Sequence, residues 1–226
     1  MFYWSIFWKI LYCLQFIFIG FLKPVFWFSE RLRKIYLKRL DFEALNRREL
    51  PKFSKINHAF HTSSEGELSQ IYPILEQRLL NDEIVLLIYT SESAEQKVQK
   101  LKEKFGDRLK IWRLEFMRLD FQLVNNLDLK TFTLCRYDFF PLLMLIGARA
   151  DRFILINATS IKWRDKPIFI NFFKKIFYSQ FNVLTTSSLI DFKVFKKLIP
   201  TKAVHNIDFR SIEIKKRQDE FTHNEL

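Results

Sequence analysis

The sequence predicts an α/β fold: a parallel sheet with helices on both faces, preceded by an N-terminal apolar helix. Three observations carry this. From His58 onward, short runs of strand length alternate with stretches of helical periodicity. One of those runs, EIVLLIYT, is apolar almost throughout, as a strand covered on both faces must be. Hydrophobic residues make up 49% of the 226 positions, which excludes a disordered chain, while 27% charged residues exclude one lying wholly in a membrane.

The N-terminal segment is suited to an apolar interface. Residues 10–22 carry no charge but number only 13, short of the ~20 that span a bilayer. With Lys9 snorkelling to a headgroup, the apolar stretch extends back to Met1 and becomes just long enough. Trp4, Trp8 and Trp27 lie near its ends, where interfacial aromatics sit. Arg31, Arg33, Lys34, Lys38 and Arg39 follow. The positive-inside tendency then places everything downstream in the cytoplasm, and the same cations bind anionic headgroups. A cleaved signal peptide fits worse, because no basic region precedes the apolar run and no A-x-A-like site follows it. The segment reads as a membrane anchor, spanning or monotopic, against the alternative of an aromatic helix buried in the domain core.

The elements that follow are set by period and capping. NHAFHTSS reads as a strand entering a loop. EGELSQIYPILEQRLL reads as a helix with Ile71, Ile74, Leu75 and Leu79 along one face. After the EIVLLIYT strand, Ser91 caps a helix whose Val98, Leu101 and Phe105 face inward. KIWRLE, TFTLCRY, RFILINAT and FNVLTTS are further strands, and FFPLLMLIGARA and PIFINFFKKIFYSQ are helical stretches between the last three. Ser188 with Asp191 makes a capping-box-like start for LIDFKVFKKLI, and KAVHNID is a final short strand. The polar end, EIKKRQDEFTHNEL, is expected to fray.

Composition narrows the chemistry. With only 4 glycines, Gly-rich nucleotide loops are not expected. Cys13 and Cys135 form no CxxC pair, and His58, His61, His205 and His223 form no HExxH pattern, so neither a metal site nor a cofactor is expected. The formal charge of +12 raises nucleic-acid binding as a class. Basic residues beside an apolar N-terminus point first to anionic lipid, so no nucleic-acid partner is expected.

Ligands of such a sheet bind outside the carboxyl ends of its strands. Segments 61–67, 136–141 and 157–164 fall at those ends and converge on one rim. In the first, His61-Thr-Ser-Ser-Glu-Gly-Glu67 puts small polar residues and a carboxylate on a strand-to-helix turn. Gly66 lets the backbone turn sharply or lie close to a ligand, and the helix N-terminus favours negative charge. Glu67 is then placed to accept a proton from a sugar hydroxyl. The plain structural alternative is that Glu67 simply favours the first helical turn.

His61-x-x-Ser64-x-Gly66-Glu67 resembles the H-x-x-S-x-G-E motif of 3-deoxy-D-manno-octulosonic acid (Kdo) transferases, inverting, metal-independent glycosyltransferases of the GT-B fold. The resemblance implies that Glu67 is the general base acting on a hydroxyl of the lipid A precursor, with Ser64 and the backbone near Gly66 holding a polar group. Asp138-Phe139-Phe140-Pro141 is similar to the family's E-L-W-P, and implies that Asp138 orients the acceptor or its base. Ile156-Asn157-Ala158 is similar to its I-x-N-A-R segment, which adds Asn157. His205-Asn206-Ile207-Asp208-Phe209 echoes a G-x-L-K-F pattern. The chain departs from the family at Thr159, where the family has Arg; Lys162 and Arg164 lie close enough in sequence to compensate. Phe140 replaces an indole and lacks its N–H donor.

The resemblance spans the chain but only the family's N-terminal half. It therefore implies one Rossmann-like half of a GT-B fold, the acceptor side, with CMP-Kdo held by a separate donor domain. The expected organisation is an anchor and basic juxtamembrane segment over 1–40, a Rossmann-like domain over 41–212 and a polar tail over 213–226. The expected setting is the cytoplasmic face of a bacterial inner membrane, in lipopolysaccharide biosynthesis. The rival expectation is a non-catalytic membrane-associated binding or scaffold module derived from that family.

Overall fold

In a computed structural model the structure describes residues 2–31, 33–34, 37, 56–114, 127–136, 140–160, 168–212 and 214–215. Seven strands form one parallel sheet: β1 (His58–Thr62), β2 (Val85–Tyr89), β3 (Leu109–Arg113), β4 (Thr131–Cys135), β5 (Arg152–Ile156), β6 (Val183–Thr186) and β7 (Ala203–Asn206). Their order across the sheet is β3-β2-β1-β4-β5-β6-β7. The helices are α1 (Phe2–Phe28), α2 (Glu65–Leu80), α3 (Glu92–Phe105), α4 (Pro141–Gly147), α5 (Ile168–Tyr178) and α6 (Leu189–Leu198). The predicted α/β class, the parallel sheet and its helical cover are all present.

The strands form because period-2 alternation sends apolar side chains to both faces. On β2, Leu86 and Ile88 enter one core with Ala59, Phe132 and Leu134. Val85 and Leu87 enter the other with Phe60 and Leu109. Each fully buried Leu or Phe contributes about 1.5–3 kcal/mol of transfer free energy. The chain runs outward from β1 through β2 to β3, returns to the other side of β1 as β4, and then runs outward again. Right-handed crossovers require the helices to change face at that reversal. They do so: Leu68, Ile71 and Leu75 of α2 and Val98 of α3 lie in one core, while Leu143 of α4, Tyr178 of α5 and Phe195 of α6 lie in the other. Sheets of this topology bind ligands at the carboxyl ends of the strands beside such a reversal, here that between β1 and β4.

Two of the four glycines are required by this fold. Gly106 ends α3 with φ 56, and its N–H reaches Lys102 O. Gly147 ends α4 against the ring of Phe153, whose atoms lie 2.3–2.5 Å from where a Cβ would stand. That ring in turn stacks on Phe132, with centroids 5.6 Å apart.

Helix α1 is divided in its allegiance. Trp8 and Tyr12 are buried, and Trp8 Nε1 donates to Gln180 Oε1 at 2.7 Å. The Trp8 ring tilts onto Phe177, with centroids 5.4 Å apart, and α1 packs along α4. Ile6, Ile10, Leu14, Ile17, Phe21 and Phe28 remain exposed, Phe21 at 79% and Phe28 at 91%. Their spacing of three, four or seven residues draws an apolar stripe along one side of the helix. Among the described residues no helix is long and apolar enough to cross a membrane. The spanning form of the expected anchor is thus unsupported, and part of the helix belongs to the domain core, as the alternative reading had it.

Candidate functional site

The turn after β1 is built by hydroxyls. Thr62 Oγ1 donates to Ser64 O at 2.8 Å, which bends the chain out of the strand. Ser64 keeps an extended backbone, φ −156 and ψ 162, and caps α2, its side chain accepting from Glu67 N at 3.3 Å. Glu67 sits three residues into the cap, where a capping box places an acid. Its carboxylate reaches one residue further back than the usual box: Oε2 accepts from Ser63 N at 2.8 Å and from Ser63 Oγ at 2.7 Å. Glu67 is only 6% exposed. Its Oε1 takes no hydrogen bond among the described residues and is not among the fully buried unpartnered atoms, so it is the oxygen able to meet a proton.

Gly66 does not make the turn. It lies in the first turn of α2 with an ordinary helical backbone, and a Cβ there would meet only Ser64 Oγ, 4.0 Å away. Ser63 and Ser64 do the bending instead. What Gly66 contributes is bare, exposed backbone beside Glu67.

Asn157 ends β5 with φ 53 and is 5% exposed. Its backbone N–H reaches Thr185 Oγ1 at 3.3 Å, and its amide meets that of Gln70, itself 1% exposed, on α2. Gln70 is one turn beyond Glu67, so both face the rim from the same side of the helix. Of the expected site residues, Ser64, Gly66 and Glu67 thus stand after the carboxyl end of β1 and Asn157 after that of β5, with Gln70 of α2 bridging to Asn157. Asp138, Lys162 and Arg164 lie outside the described residues.

Segment 136–141 brings Arg136 to the rim as expected, but its backbone conformation, and the presence of Gln70 and Arg210, carry no signal in the sequence. Arg136, just past β4, adopts φ 62, a left-handed backbone uncommon for any residue but Gly or Asn. β4 ends at Cys135, with Arg136 N bonded to Ile156 O at 2.9 Å, and Tyr137, expected in the same strand, lies outside the described residues. Gln70 and Arg210 join the rim only through long-range contacts. His61 of the motif is not on the rim at all. It is fully buried inside β1, and burial pushes its imidazole pKa down to about 3.

The same capping device recurs across the sheet. Thr186-Ser187-Ser188 leads from β6 into α6, with Thr186 Oγ1 donating to Ser188 O at 3.3 Å and Ser188 Oγ accepting from Ile190 N at 3.2 Å. Asp191, three residues into the cap and 2% exposed, takes Ser160 N and Ser160 Oγ on Oδ1, each at 2.6 Å. Thr-Ser-Ser-x-x-acid is thus present at 62–67 and again at 186–191, each time with a buried acid holding a serine by two bonds. The expected Ser188–Asp191 box exists at its serine end, while its acid serves the β5 loop instead. Among the described residues no group of three His, Cys, Asp or Glu side chains is placed to hold a metal ion. No family model and no curated protein matches the chain.

Proposed function

We propose that this chain is the acceptor-side domain of a Kdo transferase-like glycosyltransferase of lipopolysaccharide biosynthesis, acting on a lipid A precursor at the cytoplasmic face of a bacterial inner membrane. CMP-Kdo is then held by the donor domain that completes such an enzyme. One observation carries the reading: Glu67 of the H-x-x-S-x-G-E segment sits at the reversal of the sheet, with Oε2 fixed by Ser63 and Oε1 left open. A carboxylate held in one rotamer, with one free oxygen beside bare glycine backbone, suits general-base work on a hydroxyl. In this reading Ser64 fixes the turn, Asn157 lines the acceptor side, and Asp138, Lys162 and Arg164 contribute from neighbouring loops. The exposed stripe of α1, followed by Arg31, Arg33 and Lys34, lies in the plane of the membrane and meets anionic lipid headgroups.

A second reading, a non-catalytic membrane-associated binding module, is favoured by the repeat. Asp191 has the same position, burial and two-bond hold as Glu67, so a buried acid at this place in the cap serves the fold without chemistry. Transfer decides between them. The purified chain, supplied with the donor domain of a Kdo transferase, CMP-Kdo and lipid A precursor, transfers Kdo in the first reading. Acceptor binding without any transfer supports the second.

A further inference from the structure

We infer that Arg210, Gln70 and Asn157 form an anion-binding subsite at the carboxyl ends of β4 and β5, which takes a phosphate or carboxylate group. The orientation of the amides follows from the guanidinium. Arg210 can only donate, so the Gln70 atom lying 2.7 Å from its Nε and 2.8 Å from its Nη2 is the carboxamide oxygen. The other end of Gln70 is then an N–H donor facing Asn157, and the Asn157 atom that it meets is Oδ1. That leaves Asn157 Nδ2 at the position with no hydrogen-bond partner, on a side chain 5% exposed. A buried donor without a partner is costly, and such groups are seldom left so unless something else satisfies them.

Arg210 itself is exposed, and no carboxylate lies within ion-pair distance of its guanidinium among the described residues. Asp208 is close in sequence, but its Oδ1 accepts from the Arg210 backbone N–H at 3.0 Å and caps the helical turn 209–212. A guanidinium is therefore fixed over the rim by a buried amide, with donors to spare. The neighbouring strand ends support the assignment. Asn157 and Arg136 close β5 and β4 with φ 53 and φ 62, and left-handed residues of this kind cluster at ligand sites. The subsite shares Asn157 with the proposed acceptor side, but anion binding can be measured without a donor domain or a sugar acceptor, so its failure is distinguishable from failure of the transferase reading.

The test is calorimetric titration of the full chain with inorganic phosphate and, separately, acetate, at constant ionic strength. Saturable binding of at least one anion is expected. Arg210→Ala should weaken it by about tenfold or more, as loss of a charge-assisted contact does. Asn157→Asp keeps an acceptor for Gln70 but replaces the open donor with an oxygen, and should weaken binding at least as much. Tighter phosphate binding assigns a phosphate group to the site; tighter acetate binding assigns a carboxylate. Absence of saturable binding by the wild-type chain overturns the inference. So does unchanged affinity in an Arg210→Ala protein with native melting temperature, or in Asn157→Asp should Arg210→Ala fail to fold.

Discussion

Ser63 gives Glu67 two hydrogen bonds to one carboxylate oxygen, 2.8 Å from its backbone N–H and 2.7 Å from its hydroxyl. This fixes the acid at the mouth of the sheet reversal and takes up half of its accepting capacity in holding the turn. A fold role and a chemical role are therefore superposed on one side chain, and separating them needs variants that change one alone.

The glycines give a paired test of packing. Gly147→Ala drives a methyl group into the Phe153 ring, 2.3–2.5 Å away, at the end of α4. Overpacking of this kind should destabilise the protein by about 1–3 kcal/mol in chemical denaturation. Gly66→Ala meets only Ser64 Oγ at 4.0 Å and gains helix propensity, so stability should hold or rise by up to about 1 kcal/mol. If ligand approaches the bare backbone there, acceptor affinity falls in the same variant. A Gly66→Ala protein that unfolds readily contradicts this account of the turn.

Buried His61 sets an acid limit on stability. Its pKa is about 3 in the folded protein, against 6.5 in the unfolded chain. Between those values the unfolded chain takes up a proton that the folded chain refuses. Stability is full above pH 6.5 and falls as pH drops towards 3, by up to about 1.4 kcal/mol per unit for this one group. His58 is shifted in the same direction, chiefly by burial and partly opposed by Glu83. Denaturation at pH 6.5 and near pH 5, above most carboxylate titration, should show the loss. In His61→Leu the slope should be shallower, and equal slopes in the two proteins contradict the assignment.

The stripe on α1 can be tested without touching its docking residues. Replacing Ile10, Leu14 and Phe21 with Glu leaves Trp8 on Gln180 and Phe177, so the fold should stay intact. Wild-type protein should co-sediment with vesicles containing anionic lipid, and less so at high salt. The triple variant should remain in the supernatant. Equal sedimentation of the two proteins rules out the stripe as the lipid contact.

The sheet and helices were legible because they obey local rules. The run from Glu65 to Leu80 and the cap at Ser91 appear where period and capping place them. Seven strands fall on the seven segments read as strands, most of them shorter than the segment. The site was legible only as far as its motif. The places of Ser64, Gly66, Glu67 and Asn157 beyond strand ends follow from sequence, but the bond between Asn157 and Gln70 spans 87 positions and leaves no local trace. The left-handed backbone of Arg136 is equally silent, because Arg has no preference for it. The burial of Glu67 has no signal in the sequence either: an acid in a first helical turn is usually solvated, and here two bonds from Ser63 hold it inward. The repeat at 186–191 was in plain view as letters, yet only its hydrogen bonds give it meaning.

The most direct test of the central claim compares Glu67→Gln with Asp191→Asn in the reconstituted transfer assay. Each change keeps an oxygen able to accept from its serine, so each should cost about 1 kcal/mol of stability. If Glu67 is the base, Glu67→Gln lowers turnover by about 10²–10⁴ with acceptor affinity nearly unchanged, because the proton moves only in the transition state. Asp191→Asn should leave turnover close to wild type. Wild-type turnover in a folded Glu67→Gln protein, or equal losses in the two variants, contradicts the claim and assigns both acids to the fold alone.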